Sequence, residues 1–326
     1  MALIIGHRGA PGYRPEHTRS SYLLAVSQGV DAVEPDIVPT RDGVLVVRHE
    51  NEISSTTDVG DRPEFANRRA VKQFAGHQVE GWFTEDFDAD EIRQLRGRER
   101  IPDIRPESAR GDGKEPVLLL REVLDIARES GIGVVVEIKH APYFQSIGLD
   151  PCAMLACELR DAGWQGELAK KLVIESFEQS ALTDMRSRGI DATYVYLLEK
   201  SGTALDLLLA EGDEAPTYRQ QLSPGWLDRL ATEVGGISVH KNLILAPDRE
   251  GTATGPAQFV ADARERELDV FVWTARPENR FLLPAFRTGG SAAEHGDWRS
   301  EWALLREAGV TGVFADHPDL AAEAFR

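Results

Sequence analysis

The sequence predicts an α/β fold, a (β/α)8 barrel, from three observations. Eight short, nearly continuous apolar runs recur along its 326 residues, as expected for parallel strands that are covered on both faces. Helical patterns lie between most of these runs, so strand and helix alternate along the chain. Each run carries a charged, imidazole or hydroxyl-bearing residue at its C-terminal side, where a barrel builds its catalytic face. The runs are LIIGHR, DAVEPD, GVVVEIK, KLVIESF, TYVYLLEK, GISVHK, VFVWTAR and GVFADH.

The intervening helices are predicted from apolar spacings of three and four and from terminal signals. Thr18 is the candidate N-cap of the first helix, and several of the other patterns end near a glycine. The main alternative, a doubly wound open sheet, would carry a G-x-G-x-x-G loop after its first strand. The segment GHRGAPG lacks that spacing, so we favour the barrel. The clearest patterns are EHTRSSYLLAVSQGV, LLLREVLDIARESG, CAMLACELRDAG, PAQFVADARERELD and SEWALLREAGV.

Two connections are longer than a barrel requires. Residues 51–116 are polar, rich in Arg, Asp and Glu, and contain one credible helix around Asp90 to Leu95. We expect them to form a small inserted subdomain after the second strand, over the mouth of a single domain that spans residues 1–326. A second, smaller insertion is expected at RTGGSAAEHGDWR, before the last predicted helix of the barrel wall.

The composition excludes several classes of protein. The net charge of −17 argues against sequence-independent nucleic-acid binding, which needs clustered Lys and Arg, and against docking on an anionic membrane. No run approaches the ~18 apolar residues of a membrane span. Met1 leads almost directly into a strand, which favours a cytoplasmic location, although removal of an export signal would leave the same beginning. Cys152 and Cys157 are expected to be two buried small hydrophobes, without a disulfide or zinc site.

Three acidic residues at two strand ends are candidate metal ligands. Glu34 and Asp36 are two residues apart on one strand, so their side chains point the same way, and Glu137 ends the third run. Such carboxylates repel each other unless a positive group lies between them, and Mg²⁺ or Ca²⁺ prefers their oxygen atoms. The alternative is a set of salt bridges with Arg8 and Lys139 at the barrel rim.

Two histidines and two cations accompany these acids. His7 closes the first run and His49 follows a short extension of the second, so the pair could divide proton transfer between nucleophile and leaving group. Arg8 is followed by a glycine, which suits close approach of an anionic oxygen. Lys139 could hold a phosphate oxygen or pair with Glu137. Together these groups favour a phosphate ester as substrate.

With these residues, the chain resembles the glycerophosphodiester phosphodiesterase family. The similarity runs in one order along nearly the whole chain, and the motifs are specific in combination. The segment TTDVGDRPEF…GWFTEDF looks like the longer bacterial form with its inserted subdomain. The matching motifs are HRG (7–9), PEHT (15–18), EPD (34–36), RHEN (48–51), VEIK (136–139), ESF (175–177), WTAR (273–276) and GVTGVFADHPD (309–319).

The resemblance implies metal-dependent hydrolysis of glycerophosphodiesters to sn-glycerol 3-phosphate and an alcohol. It implies one divalent cation, Mg²⁺ or Ca²⁺, held by Glu34, Asp36 and Glu137. His7 and His49 would be the general acid/base pair. The implied partner is a small-molecule substrate, and the oligomeric state stays open.

The resemblance also assigns residues around the phosphate. Arg8 and Lys139 would contact it, and Glu16 would order the site near the first loop. Phe177 and Trp273 would form an apolar wall beside the glycerol, although ordinary barrel packing explains the two aromatic residues equally well.

Two positions depart from the family pattern. Glu50 stands where Asp is common and could alter the orientation of His49, and Arg276 replaces a frequent Asn and adds a cation near the mouth. Two other functions stay open at this point. One is a phospholipase D-like barrel that forms a cyclic phosphate from a lysophospholipid by internal attack, and the other is a non-catalytic binder of glycerophosphodiesters.

Overall fold

A computed structural model of the chain describes residues 1–74 and 77–326. The described strands number twelve, and all eight predicted runs are among them. In chain order they are β1 (Leu3–His7), β2 (Ala32–Glu34), β3 (Asp36–Pro39), β4 (Leu45–Val47), β5 (Ala70–Phe74), β6 (His77–Gly81), β7 (Gly133–Ile138), β8 (Leu172–Ser176), β9 (Thr193–Leu198), β10 (Gly236–His240), β11 (Asp269–Ala275) and β12 (Gly312–Ala315).

Eight parallel strand positions, here called staves, close into a barrel, and β2 and β3 together form one of them. β1 pairs with both β2 and β12, and each later strand pairs with its sequence neighbour from β7 round to β12. The second stave is interrupted at Pro35, which has no N–H to donate, and its two halves β2 and β3 both pair with β7. β4 lies antiparallel to β3. The predicted (β/α)8 barrel is therefore confirmed.

Helices alternate with the staves as the periodicity predicts. Ser21 N–H donates to Thr18 Oγ1 over 3.3 Å, which confirms Thr18 as the first N-cap. The helix expected around Asp90 is shorter and begins earlier than predicted. The α-helices are α1 (Arg19–Ser27), α2 (Ala89–Ile92), α3 (Pro106–Ala109), α4 (Leu120–Ser130), α5 (Ala141–Ser146), α6 (Pro151–Asp161), α7 (Gln179–Ser187), α8 (Leu205–Glu211), α9 (Pro224–Glu233), α10 (Lys241–Leu245), α11 (Phe259–Glu265), α12 (Trp298–Glu307) and α13 (Pro318–Phe325).

The core has one layer inside the barrel and another between the strands and the helices. Because strand side chains alternate, Ile5 packs inside while Ile4 packs outward in the large cluster that includes the helices. On most staves the inward-facing row continues two residues further to a side chain at the C-terminal rim, so this parity decides which residues face the site. The interior cluster consists of Ile5, Ala32, Val135, Val195, Phe271 and Phe314.

The long connection between β4 and α4 carries the β5–β6 hairpin, α2 and α3. Several of its apolar side chains form a cluster of their own with β3 and β4, including Ile53, Phe65 and Phe87. The description of residues 51–116 as an inserted subdomain stays a prediction.

Two further features bear on the sequence-based expectations. Cys152 is buried, but Cys157 lies on the exposed face of α6, so the prediction that both are buried was wrong for Cys157. The cause is the five-residue spacing, which places the two thiols on different faces of the helix. No helix in the described part of the chain is long and apolar enough to cross a membrane.

Candidate active site

The C-terminal ends of the staves open onto one cavity of about 520 Å³. Eight of the ten predicted site residues line it, while Asp36 and Glu16 lie behind the wall, in contact with Arg8. The strand parity accounts for this convergence, since most of these side chains continue the inward-facing rows of the barrel. The eight lining residues are His7, Arg8, Glu34, His49, Glu137, Lys139, Phe177 and Trp273.

The His-Arg-Gly triplet forms the turn by which β1 leaves the barrel. Arg8 has φ of 57° and Gly9 has φ of 93°, both in the left-handed region. A Cβ on Gly9 would lie 2.5 Å from Ser21 Oγ, so no larger residue fits. In this turn the Arg8 N–H donates to Glu34 Oε2 over 2.8 Å, which fixes Arg8 beside that carboxylate.

Three predicted metal ligands form a compact group of carboxylates. Glu34, Asp36 and Glu137 each offer an oxygen atom within 4.8 Å of the others, and all three residues are buried. Burial and the neighbouring acids raise the pKa of Glu34 and of Glu137 well above the ordinary value, although Arg8 and Lys139 counteract this shift. Glu175, at the end of β8, is also buried, and desolvation raises its pKa in the same way.

Two cations lie against this group. Lys139 Nζ donates to Glu137 Oε1 over 2.7 Å and is 3.6 Å from Asp36 Oδ1. Arg8 Nε is 3.2 Å from Asp36 Oδ2, and Arg8 Nη1 donates to Glu16 over 3.2 Å. Although burial raises the pKa of Asp36, Lys139 and Arg8 outweigh it and hold that pKa well below the ordinary value. The rim salt bridges considered as an alternative are therefore present.

These salt bridges are too few to compensate the acids of the cluster once all of those acids are ionised. Glu34, Asp36, Glu137 and Glu175 would carry four negative charges when ionised, against two positive charges from the neighbouring cations. Glu34 Oε1 and Asp36 Oδ1 are buried and accept no hydrogen bond. Oxygen atoms in such a surplus suit a hard divalent cation, so the acidic residues fit one.

His7 is oriented by a carboxylate that sequence reasoning did not select. His7 Nδ1 lies 2.6 Å from Asp316 Oδ1. Arg276 and Arg105 each donate to Asp316 Oδ2 over 2.6 Å, and they hold its pKa well below the ordinary value despite burial. An ionised Asp316 only accepts, so Nδ1 carries the proton and Nε2 keeps its lone pair. Burial and Arg8 lower the pKa of His7 to about 4, which leaves the ring neutral at pH 7.

His49 occupies another part of the same cavity. Its Nδ1 is 3.0 Å from Glu50 Oε1, and Glu50 Oε2 is 2.9 Å from His140 Nε2. Glu50, one of the departures from the family pattern, therefore lies between two imidazoles. Burial and the charges of Arg8 and Lys139 lower the pKa of His49 to about 3. Both predicted acid/base histidines are therefore neutral at pH 7.

Several polar residues of the site were not selected from the sequence, and three of them illustrate the reasons. Asp316 directly follows the last stave, so the rule that selected His7 could have found it. His17 is fully buried and contacts Asp36 Oδ2 through Nε2 over 2.9 Å, but nothing in the PEHT segment distinguishes it from a surface residue. Arg105 comes from the irregular connection and reaches a partner 211 residues away, which no local pattern predicts.

Comparisons with known proteins identify the family of this chain. The model of the glycerophosphoryl diester phosphodiesterase family matches residues 7–320. A glycerophosphodiester phosphodiesterase of Arabidopsis thaliana, GDPD6, is 30% identical over 96% of this chain and 82% of its own length. The glycerophosphodiester phosphodiesterase of Haemophilus influenzae is 24% identical over 98% of this chain and 89% of its own length.

Solved structures share the fold. A crystal structure from Silicibacter pomeroyi, named as a glycerophosphoryl diester phosphodiesterase, superposes with a TM-score of 0.68 at 22% identity, covering 100% of this chain and 93% of that one. A phosphodiesterase of Oleispira antarctica in complex with the product sn-glycerol-3-phosphate superposes with a TM-score of 0.66 at 20% identity, covering 99% and 96%.

The fold is a (β/α)8 barrel whose C-terminal rim holds a buried, acidic cluster. The family model matches nearly the whole chain, so the chain belongs to the glycerophosphoryl diester phosphodiesterase family. The expected enzyme class, a phosphodiesterase, is thereby confirmed.

Proposed function

We propose that the protein hydrolyses glycerophosphodiesters to sn-glycerol 3-phosphate and an alcohol, with one bound Mg²⁺ or Ca²⁺. The observation that carries this proposal is that two neutral histidines, two cations and the carboxylates of Glu34 and Glu137 line a single cavity, with Asp36 clustered against these two acids behind its wall. The product complex of the Oleispira antarctica relative supports the same product here. A cavity of about 520 Å³ has room for a small diester rather than a polymer.

Glu34, Asp36 and Glu137 would hold the cation. Glu34 Oε1 and Asp36 Oδ1 support this assignment, because each is a buried carboxylate oxygen that accepts no hydrogen bond. When bound, the cation offsets the negative charge that grows on the phosphate oxygens during the reaction. The buried ring of His17 holds Asp36 from behind through its contact of 2.9 Å, which restricts the rotation of that carboxylate.

Arg8 and Lys139 would bind the substrate phosphate. Both are fully ionised, because the adjacent carboxylates raise the pKa of each cation despite burial. Lys139 is a point charge and Arg8 is held by its turn, so together they position the phosphorus atom beside the histidines.

One of the two neutral histidines, His7 or His49, would accept the proton of the nucleophile, and the other would give the leaving oxygen a proton that it has first taken up from water. A neutral imidazole accepts a proton through its unprotonated nitrogen, and Asp316 keeps that nitrogen at Nε2 in His7. The charge that His7 gains on protonation is then stabilised by Asp316, while Glu50 lies in the corresponding position next to His49.

Phe177 and Trp273 would contact the carbon atoms of the substrate. Their ring centroids are 5.9 Å apart in an edge-to-face arrangement, and both rings line the cavity. Lys139 Nζ lies 5.7 Å from the centre of the Phe177 ring, so this apolar wall borders the phosphate position.

Incubation with glycerophosphocholine and, separately, with a lysophospholipid tests this function by phosphorus NMR. We expect sn-glycerol 3-phosphate and choline from the first substrate in the presence of Mg²⁺ or Ca²⁺. A cyclic phosphate formed from the lysophospholipid, with no turnover of glycerophosphocholine, would contradict the proposal. Binding of several glycerophosphodiesters without any product would instead support a non-catalytic binder.

A further inference from the structure

A second cavity adjoins the proposed active site. Its volume is about 310 Å³, and Trp273, Thr274 and Arg276 line both cavities. Its other walls come from the connections after β9, β10 and β11, including the long segment between β11 and α12. A ligand that occupies the first cavity therefore has this second space directly beside it.

The second cavity is cationic in a strongly acidic protein. Among the described residues, its lining contains five lysines and arginines, one histidine and no Asp or Glu, whereas the chain as a whole has a net charge of −17. Two of only seven lysines in the sequence are found here. The charged lining residues are Lys200, Lys241, Arg276, Arg280 and Arg287.

Only two of these cations are neutralised by a neighbour. Lys241 forms a buried pair with Glu301, and Arg276 donates to Asp316. Over residues 1–74 and 77–326, neither Lys200, Arg280 nor Arg287 has an ion pair; Arg287 donates only to a backbone carbonyl. The cavity therefore has three positively charged side chains without an ion-pair partner, and these attract an anion that carries more than one charge.

The pKa of His240, which also lines this cavity, is lowered by burial and by the neighbouring cations. Burial and the charges of Lys200, Lys241 and Arg276 lower the pKa of His240 to about 4. Its Nδ1 accepts the Asn242 N–H over 3.1 Å, so the neutral ring carries its proton on Nε2. The cavity thus adds a neutral donor to its cations.

We propose that this cavity binds a second phosphate group, a monoester carried on the alcohol portion of the glycerophosphodiester. The inference rests on the proposed function, because it places the scissile phosphate at the acidic cluster and the rest of the substrate beyond Trp273 and Arg276. A phosphate monoester carries nearly two negative charges and three acceptor oxygens at pH 7, which matches several unpaired cations better than a neutral or cationic alcohol does.

A pair of substrates that differs only in this group tests the inference. We expect kcat/KM for glycerophosphoinositol 4-phosphate to exceed that for glycerophosphoinositol by about tenfold or more, as one or two charge-assisted hydrogen bonds provide. The advantage should shrink as the salt concentration rises. Equal kcat/KM values for the two substrates would overturn the proposal.

Substitution of the three cations without an ion-pair partner tests whether this cavity causes the preference for the phosphorylated substrate. The triple variant Lys200→Gln, Arg280→Gln, Arg287→Gln alters exposed side chains that form no ion pair, so it should fold normally. It should lose the preference for the phosphorylated substrate. Arg299→Gln, which alters an exposed arginine outside both cavities, is the matched control and should retain the preference. A parallel loss on both substrates in the triple variant would count against a specific subsite.

A binding measurement separates failure of this inference from failure of the proposed function. Isothermal titration with inorganic phosphate, after removal of metal, needs no turnover. Wild-type protein should bind phosphate more tightly than the triple variant, even if no glycerophosphodiester is hydrolysed. Identical titrations for the two proteins would overturn the cationic subsite, whatever the activity assay shows.

Discussion

His7 illustrates how the site depends on individual side chains. Its imidazole is neutral, its tautomer is set by Asp316, and that carboxylate is kept ionised by Arg105 and Arg276. His7 could be selected from the sequence because it ends an apolar run. Arg105 could not be selected, because its role arises only from contacts made in the folded protein.

Replacement of the histidines tests their proposed roles. His7→Ala and His49→Ala should each lower kcat by about 10²–10⁴-fold, the usual contribution of a proton-transfer group. His295→Ala is a suitable control, because that histidine is exposed and outside the cavity. Steady-state kinetics on glycerophosphocholine measures the effect, and wild-type kcat in either variant would refute the acid/base assignment.

At the scale of the elements, strand parity explains why several of the predicted residues face the site. Ile5 and His7, Val135 and Glu137, and Phe271 and Trp273 are pairs on the inner face of one stave each. Because the period of a strand is two, an interior hydrophobic residue predicts an inward-facing residue at the rim. The long connection has no such period, and so the site contacts of Arg105 could not be derived from the sequence.

The buried ion pairs of Arg105 attach α3 to the barrel rim. Arg105→Ala leaves Glu278 and Asp316 with one buried partner fewer and should lower the free energy of unfolding by about 3–5 kcal/mol. Arg110→Ala, at the other end of α3, removes an exposed pair with Glu107 and should change it by less than about 1 kcal/mol. Urea unfolding measures both variants, and equal effects would show that α3 is not anchored through Arg105.

At the scale of the whole molecule, the barrel brings acidic side chains from distant positions in the sequence to one buried site at its rim. Two neighbouring staves bring three carboxylates together, of which Glu34 and Glu137 are 103 positions apart in the sequence. The order of the motifs predicted this assembly, since parallel staves share one rim. The second, cationic cavity was not predicted, because its side chains come from three separate connections.

The pH dependence of cation binding follows from the raised pKa values of Glu34 and Glu137. Protonated carboxyls must lose their protons before they bind metal, so the affinity for Mg²⁺ or Ca²⁺ should rise with pH. The increase in Tm on addition of cation should therefore be larger at pH 8 than at pH 6. Thermal unfolding at a fixed cation concentration measures this difference. An equal increase at both pH values would mean that these acids are already ionised without metal.

Titration of activity with metal tests the central claim most directly. After chelation, the protein should release no sn-glycerol 3-phosphate from glycerophosphocholine until Mg²⁺ or Ca²⁺ is restored. Glu137→Gln should need about tenfold or more cation for half-maximal activity, since it loses one charged ligand, whereas Glu199→Gln, a cavity acid outside the cluster, should titrate as the wild type does. Full hydrolysis without cation, or an unchanged titration for Glu137→Gln, would contradict the account.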